Sequence, residues 1–274
     1  MATLDSHARV HATTVIERRE LATGVALVTL DAPELSAATR AGQYLMAIPP
    51  SAQSAATALA IYEAEGNLAS ILFFITGKRT RELSELRAGD RLDVVGPLGN
   101  GFDCSSDARD VAIVAGGVGI ASVLLCARSL CRRGARVRLF YGARTRELLV
   151  DAQRFADAGC ELVLTTDDGT FGERGYVTAA LARARKPDEI YACGPSPMLR
   201  AVARIAGEFG VRAQLALEET FGCGVGGCWG CVVPLIGSSA QAPSFPPAEF
   251  GGSDVVYARI CKEGPVFWAD ELRW

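Results

Sequence analysis

VAIVAGGVGIAS, residues 111–122, is a strand-length apolar run that breaks on three glycines and passes directly into the helix-forming stretch ASVLLCARSLCRRG, residues 121–134. An apolar run without polar alternation is buried on both faces, as the strands of a parallel sheet are. Gly116, Gly117 and Gly119 form a turn whose bare backbone amides can approach a pyrophosphate, with the partial positive charge of the helix start behind them. Alone the turn is a weak signal. It departs from the dinucleotide fingerprint by its final Ser122, and a tight strand-to-helix turn needs glycine on steric grounds in any case.

Downstream the same rhythm continues, with strands at VRLFYGA (137–143), ELVLTTDD (161–168) and EIYACG (189–194) and helical segments at RELLVDAQRFADAG (146–159), TAALARARK (178–186) and MLRAVARIAGEFG (198–210). Strands alternating with amphipathic helices predict a doubly wound α/β nucleotide-binding domain. YACGPSPML (191–199) places Cys193, Gly194 and Pro195 at the carboxyl end of a later strand, where this fold puts ligands, and Pro195 or Pro197 can open the following helix. Arg144 follows another strand and is either an adenosine contact or a solvated side chain. Asp167 and Asp168, next to Gly169, read as turn residues.

Upstream, residues 9–103 alternate apolar and polar positions in short runs such as TGVALVTLDA, GQYLMAIPP and SILFFITG. This predicts an N-terminal antiparallel β-barrel. RTRELSELRAGD (79–90) interrupts it with one short helix, capped by Thr80 and ended by Gly89, and PPSAQSAAT (49–57) reads as a loop. His7 and His11 fall in an N-terminus expected to be frayed.

The C-terminal region carries GCGVGGCWGC, residues 222–231, and a further cysteine at 261. Cys223, Cys228, Cys231 and Cys261 follow the CxxxxC, CxxC and distant-fourth order of a plant-type 2Fe–2S centre. Glycines between them permit a loop that wraps an anionic cluster and turns N–H groups toward it. Structural zinc is the competing reading, although zinc ribbons usually present two short CxxC knuckles. PLIGSSAQAPSFPPAEFGGSD (234–254) reads as a loose linker. The other cysteines, Cys104, Cys126, Cys131 and Cys160, read as small packing residues.

Composition narrows the classes. The 274 residues suggest about two domains and a small module, and a net charge of −3 argues against nucleic-acid or anionic-membrane partners. No apolar run approaches the roughly 20 residues that span a bilayer. The opening MATLDSHARVHATT lacks a signal segment, and with nine cysteines, an odd number, a reducing cytoplasm is the expected location.

LEETFGCGVGGCWGCVVP, YARICKEGPVF, GKRTRELSELRAGDRLDVVGPLGNGF, AIVAGGVGIA, TTDDGTFGERGYVT and YACGPSPML together resemble the electron-transfer subunit of class 1B dihydroorotate dehydrogenase, in the right order over nearly the whole chain. That family belongs to the ferredoxin-reductase group. The resemblance implies an FAD-binding barrel over 1–106, an NAD(P)-binding domain over 107–215 and a 2Fe–2S module over 216–274. It further implies electron flow between NAD(H), FAD and the cluster to an FMN-containing catalytic subunit in pyrimidine biosynthesis, within a hetero-oligomer. The family's barrel carries an Arg-Pro-x-Ser segment that holds the flavin and its phosphates; here Thr57, Ala58, Leu59 and Ala60 stand in its place. A neutral threonine lacks the bidentate charge of arginine. Phe73 and Phe74 occupy a second flavin anchor, and the glycine turn reads Gly77, Lys78, Arg79, Thr80, with Arg79 and Thr80 as cofactor candidates. Two alternatives stay open: a flavin-less iron–sulfur binding or sensing protein on a reductase scaffold, and a reductase subunit serving another oxidoreductase.

Overall fold

The computed structural model describes residues 8–51, 55–236 and 255–274. Alternating residues close six antiparallel strands into a barrel: β1 (Arg9–Ala22), β2 (Val25–Asp31), β3 (Tyr44–Ile48), β4 (Thr57–Glu65), β5 (Leu68–Phe74) and β6 (Arg91–Leu98), adjacent in the order β1-β2-β5-β4-β3-β6. Val28, Leu30, Leu45, Ile71, Phe73 and Val94 fill its interior. His11 lies within β1, its Nε2 3.0 Å from the Gly96 carbonyl, so the strand is ordered where fraying was expected. His7 and part of the 49–57 loop lie outside the described residues.

Two short helices interrupt the barrel where one was expected. α1 (Pro33–Ala38) is opened by a proline, which suits the first helical turn because its missing N–H has no partner there. α2 (Lys78–Ser84) starts after Gly77 rather than Thr80. Thr80 sits one turn inside, and its hydroxyl accepts from the backbone N–H groups of Thr76 and Gly77 at 3.0 and 3.1 Å, so the cap works from within the helix. The helix stops at Ser84, and Gly89 turns the chain later, at φ +90°.

The second layer contains β7 (Asp110–Gly116), α3 (Ile120–Arg132), β8 (Arg136–Ala143), α4 (Ala152–Asp157), β9 (Glu161–Thr166), β10 (Glu173–Arg174), α5 (Val177–Arg183), β11 (Glu189–Cys193), α6 (Ser196–Phe209) and β12 (Arg212–Ala216). These strands are parallel in the order β10-β9-β8-β7-β11-β12. Both faces of β7 are buried, as its composition required. Val111, Ile113 and Ala115 pack with α3 and α4, and Ala112 and Val114 with α5 and α6. The helix expected over 146–159 is shorter: a 3₁₀ turn at Arg146–Leu148 is followed by Asp151 at φ +55°, and only then by α4.

β13 (Val232–Ile236) and β14 (Val255–Arg259) form a two-stranded ladder. The linker expected to be loose therefore contributes Pro234 to Ile236 to a strand, and its remainder lies outside the described residues. β15 (Val266–Trp268) returns to pair antiparallel with β12 as the seventh strand of the large sheet, so the expected division at 215/216 is crossed by the tail. Arg212 covers the Trp268 ring at 3.4 Å, and Arg200 covers Trp274 at 5.7 Å. The barrel is held against α3 and α4 by Glu63, whose carboxylate lies 2.6 Å from both Arg128 and Arg154, while the Tyr62 hydroxyl donates to Asp151 at 2.7 Å. Among the described residues no helix is long and apolar enough to cross a membrane.

Candidate functional site

Strand order reverses between β7 and β11, and a cleft of about 280 Å³ opens there between barrel and sheet. Tyr44, Thr57 to Ala60 and Phe74 form its barrel wall, Val118, Ser122 and Cys193 the opposite wall, and Glu218, Phe221 and Pro265 its floor toward the C-terminus. Ala58 and Ala60 pack away from the barrel interior while Leu59 packs into it, so small side chains form the wall. Phe73 also borders the cleft, but its ring belongs to the barrel core, which leaves Phe74 as the aromatic of that pair available to a ligand. Thr80 lines the cleft with its hydroxyl already used in the α2 turn.

Arg79 and Lys78 part company in space. Lys78 is exposed and lies 3.9 Å from Glu82. Arg79 is half-buried and donates from its guanidinium to the Ala56 carbonyl at 3.0 Å, directly beside Thr57. A guanidinium thus stands next to the position where the resemblance leads one to expect an arginine. The residues present fit a flavin to this extent: a slot with apolar walls, and a guanidinium held next to Thr57, which lines it.

On the sheet side the glycines divide into two groups. A methyl group on Gly119 would collide with the backbone of Cys193, and one on Gly116 would meet Met198 Sδ at 2.6 Å. Gly194 is confined in the same way, a methyl there meeting Met198 Cε at 2.6 Å. Gly116 and Gly119, expected at a pyrophosphate, and Gly194, expected with Cys193 at a ligand, thus stand where the ends of β7 and β11 and the start of α6 approach too closely for a side chain. Gly117 differs: at φ +54° its missing side chain would meet nothing within 4 Å, so its backbone faces open space. Pro195 caps α6, which begins at Ser196 with Pro197 in its first turn. Arg144 is exposed, and Asp168 accepts from the backbone and hydroxyl of Thr170 in a turn, as expected of it.

The Cys193 thiol is fully buried and donates to Glu218 Oε1 at 3.4 Å. Burial pushes the Cys193 thiol well above its usual range, and the Glu218 charge beside it acts in the same direction. Glu218 is reached by solvent through the cleft mouth, yet protein atoms crowd its carboxyl and raise its pKa. Nothing in its sequence position singled it out.

The four loop cysteines come together as two pairs. Cys223 receives N–H donors from Gly227 at 3.2 Å and Cys228 at 3.4 Å and shares a hydrogen bond with the Cys228 thiol. Although burial opposes ionisation, backbone N–H groups of Val225, Cys228 and Gly227 bring the Cys223 thiol down to about 7. Cys231 pairs with Cys261, whose thiol hydrogen bond, against the effect of burial and aided by backbone N–H groups, lowers Cys231 to about 6 while Cys261 is raised. Among the described residues no three of His, Cys, Asp and Glu are gathered as a mononuclear metal site would need. Two thiol pairs fit a dinuclear cluster, in which each iron takes two protein ligands.

Side chains distant in sequence hold this loop against the cleft. The Tyr44 hydroxyl lies 2.7 Å from the carbonyl oxygens of both Gly224 and Cys261, and its ring tilts against Phe221 at 5.0 Å. Asn100 donates to the Glu263 and Val266 carbonyls and accepts from the Val266 N–H, so it grips the tail. Arg259, buried in a salt bridge with Glu263, donates to the Gly226 carbonyl at 2.6 Å and lies 4.5 Å from the Trp229 ring.

The barrel, the parallel sheet and the cleft at its switch point define the class: a ferredoxin-reductase-like oxidoreductase chain. Residues 113–204 match the model of the oxidoreductase NAD-binding domain. The dihydroorotate dehydrogenase B (NAD(+)), electron transfer subunit of Streptococcus mutans is 32% identical over 265 residues, which cover 94% of this chain and 96% of that protein. The protein of the same description from Geobacillus kaustophilus is 38% identical over 207 residues, 74% of this chain and 73% of its own. A solved structure of an NADH-dependent reduced ferredoxin-NADP oxidoreductase superposes with a TM-score of 0.78 at 28% identity, covering 96% of this chain and 90% of that one. The chain belongs to the family of dihydroorotate dehydrogenase B electron transfer subunits.

Proposed function

We propose that the chain passes electrons between NAD(H) and a partner enzyme, with FAD in the cleft and a 2Fe–2S cluster in the cysteine loop. The observation that carries this reading is Tyr44, which lines the cleft with its ring and reaches the Gly224 and Cys261 carbonyls with its hydroxyl. One side chain thereby fixes the spacing between the two sites. When bound, the flavin converts a two-electron hydride into single electrons, which the cluster relays.

The chain's own residues do the rest. Gly117 offers open backbone to the nucleotide, and Val118 and Cys193 border the place of the nicotinamide ring. Cys193 stays protonated there, so it donates to Glu218 and adds no negative charge beside a hydride path. Arg79 supplies the cation for an anionic flavin group. Phe221 and Pro265 close the floor against water. Cys223, Cys228, Cys231 and Cys261 serve as thiolate ligands, and the lowered pKa values of Cys223 and Cys231 support their ionisation.

The family's name supports a dihydroorotate-oxidising partner, which on this reading is an FMN-containing catalytic subunit in a cytoplasmic hetero-oligomer of pyrimidine biosynthesis. The test is anaerobic purification with quantified flavin, iron and sulfide, followed by NADH titration. The expected result is all three components and reduction by NADH. Iron and sulfide without flavin, and no NADH reduction, would favour the flavin-less alternative, for which the missing arginine at Thr57 speaks. Co-purification from the native cell identifies the partner: a stable partner that does not oxidise dihydroorotate would overturn that assignment.

A further inference from the structure

Four of the nine cysteines belong to neither the cleft nor the cysteine loop, and they face one another in pairs. Cys104 and Cys126 place their sulfurs 3.4 Å apart, and Cys131 and Cys160 theirs 3.7 Å apart. Packing alone explains a buried cysteine, which acts as a small hydrophobe. It does not explain sulfur against sulfur with one member only partly buried. Cys126 is fully buried on α3, whereas Cys104 is only partly buried in the irregular connector between β6 and β7.

The connector is anchored so that Cys104 stays over α3. Tyr191 donates to the Asp103 carbonyl at 3.0 Å and Gln214 Nε2 to the same oxygen at 2.8 Å, while the Asp103 N–H donates to Gln214 Oε1 at 2.8 Å. Beyond that grip the backbone at Cys104 belongs to no helix or strand. The sulfurs must approach by about 1.4 Å to reach the disulfide length of about 2.05 Å, and the movement falls on irregular chain.

We infer that Cys104 and Cys126 form a dithiol site that hydroperoxides oxidise to a disulfide, tying the connector between barrel and sheet to helix α3. The two thiols are unequal in the sense the chemistry requires. The hydrogen bond between the two sulfurs, against burial, lowers the Cys104 pKa; burial, with that same bond, raises that of Cys126. Cys104, the less buried sulfur and the more readily ionised of the two, is thus the one that meets the oxidant. Its sulfur attacks one peroxide oxygen, an S–O bond forms as the O–O bond breaks, and the leaving alkoxide or hydroxide takes a proton. The Cys126 sulfur then attacks Cys104, the S–S bond forms, the S–O bond breaks, and the Cys126 proton leaves with the oxygen as water. Two sulfurs lose one electron each, and the peroxide gains two.

Peptide mapping of the full-length protein as isolated tests this. The protein is treated with hydrogen peroxide, alkylated, and digested with trypsin without reductant. Cleavage at Arg91, Arg109 and Arg128 places Cys104 in peptide 92–109 and Cys126 in peptide 110–128. The expected product is the two peptides joined, two hydrogens lighter than their sum, and separated again by dithiothreitol. In Cys126→Ser the second step is removed, so dimedone should trap a sulfenic acid on Cys104. Wild-type protein in which both cysteines remain alkylatable after peroxide, or a dimedone adduct that avoids Cys104 in the variant, overturns the proposal.

Discussion

Tyr44→Phe removes one oxygen and keeps the ring that tilts against Phe221 at 5.0 Å. The deleted hydroxyl lies 2.7 Å from two carbonyl oxygens, at Gly224 and Cys261, and Tyr44 is 5% exposed, so water does not readily replace it. Leaving a buried acceptor short of its donor costs about 1–3 kcal/mol. At tenfold per 1.4 kcal/mol, local opening of the cysteine loop should rise roughly 5- to 150-fold. Hydrogen exchange read by mass spectrometry measures this directly. Segments 222–231 and 260–265 should lose protection by that factor, while β1, β2 and β5, remote from the hydroxyl, should keep theirs. In iron-loaded protein, release to a chelator should accelerate in parallel. Unchanged exchange in the loop, or loosening spread evenly through the barrel, would refute the view that this hydroxyl joins cleft to loop.

Arg259→Ala should destabilise the protein by about 3–5 kcal/mol in a denaturant titration, because it strands the buried Glu263 carboxylate. Gly119→Ala should cost more than about 3 kcal/mol, since the new methyl meets backbone that cannot move aside, whereas Gly117→Ala should cost about 1 kcal/mol for its positive φ and chiefly weaken nucleotide binding. In metal-free protein, iodoacetamide labelling of Cys223 should rise with a midpoint near pH 7. The sign for stability follows: this thiol's folded pKa lies below its unfolded value of about 8.5. Its contribution is therefore complete above that value and is lost as pH falls through about 7, which thermal denaturation across pH 6–9 checks. Arg79→Ala should weaken FAD retention roughly 10- to 150-fold in equilibrium dialysis, the worth of a hydrogen bond to a charged group.

What the sequence disclosed was local. The apolar run 111–115 needs both of its faces covered, and β7 has them covered. The spacing of Cys223, Cys228 and Cys231 marks the loop because three of its sulfurs lie within nine residues. What stayed hidden is non-local. Tyr44 reaches partners 180 and 217 positions away, and Asn100 partners 163 and 166 away, so no window of sequence contains both ends of these contacts. Gly116, Gly119 and Gly194 carry a second, packing requirement that was hidden for a related reason. Glycine marks close approach, and only the packed strand ends show that Cys193 and Met198 are among the groups that approach. Glu218 gains its raised pKa from crowding around the cleft, a property of the assembled walls.

The threonine at 57 illustrates how far a position-by-position comparison carries. Read along the chain, Thr57 to Ala60 lacks the charge that the resemblance leads one to expect for an anionic flavin group. Read in space, α2 folds back so that Arg79 bonds the Ala56 carbonyl at 3.0 Å, and a guanidinium occupies the ground beside Thr57 from a different element. Electrostatic attraction depends on where the charge stands, not on which strand carries it. Bidentate geometry does depend on the carrier: one arm of Arg79 is committed to Ala56, so fewer of its N–H groups are left for a ligand than a free arginine would offer. A site assembled this way retains the sign of the field and yields part of its directional grip, so flavin affinity here should depend strongly on ionic strength.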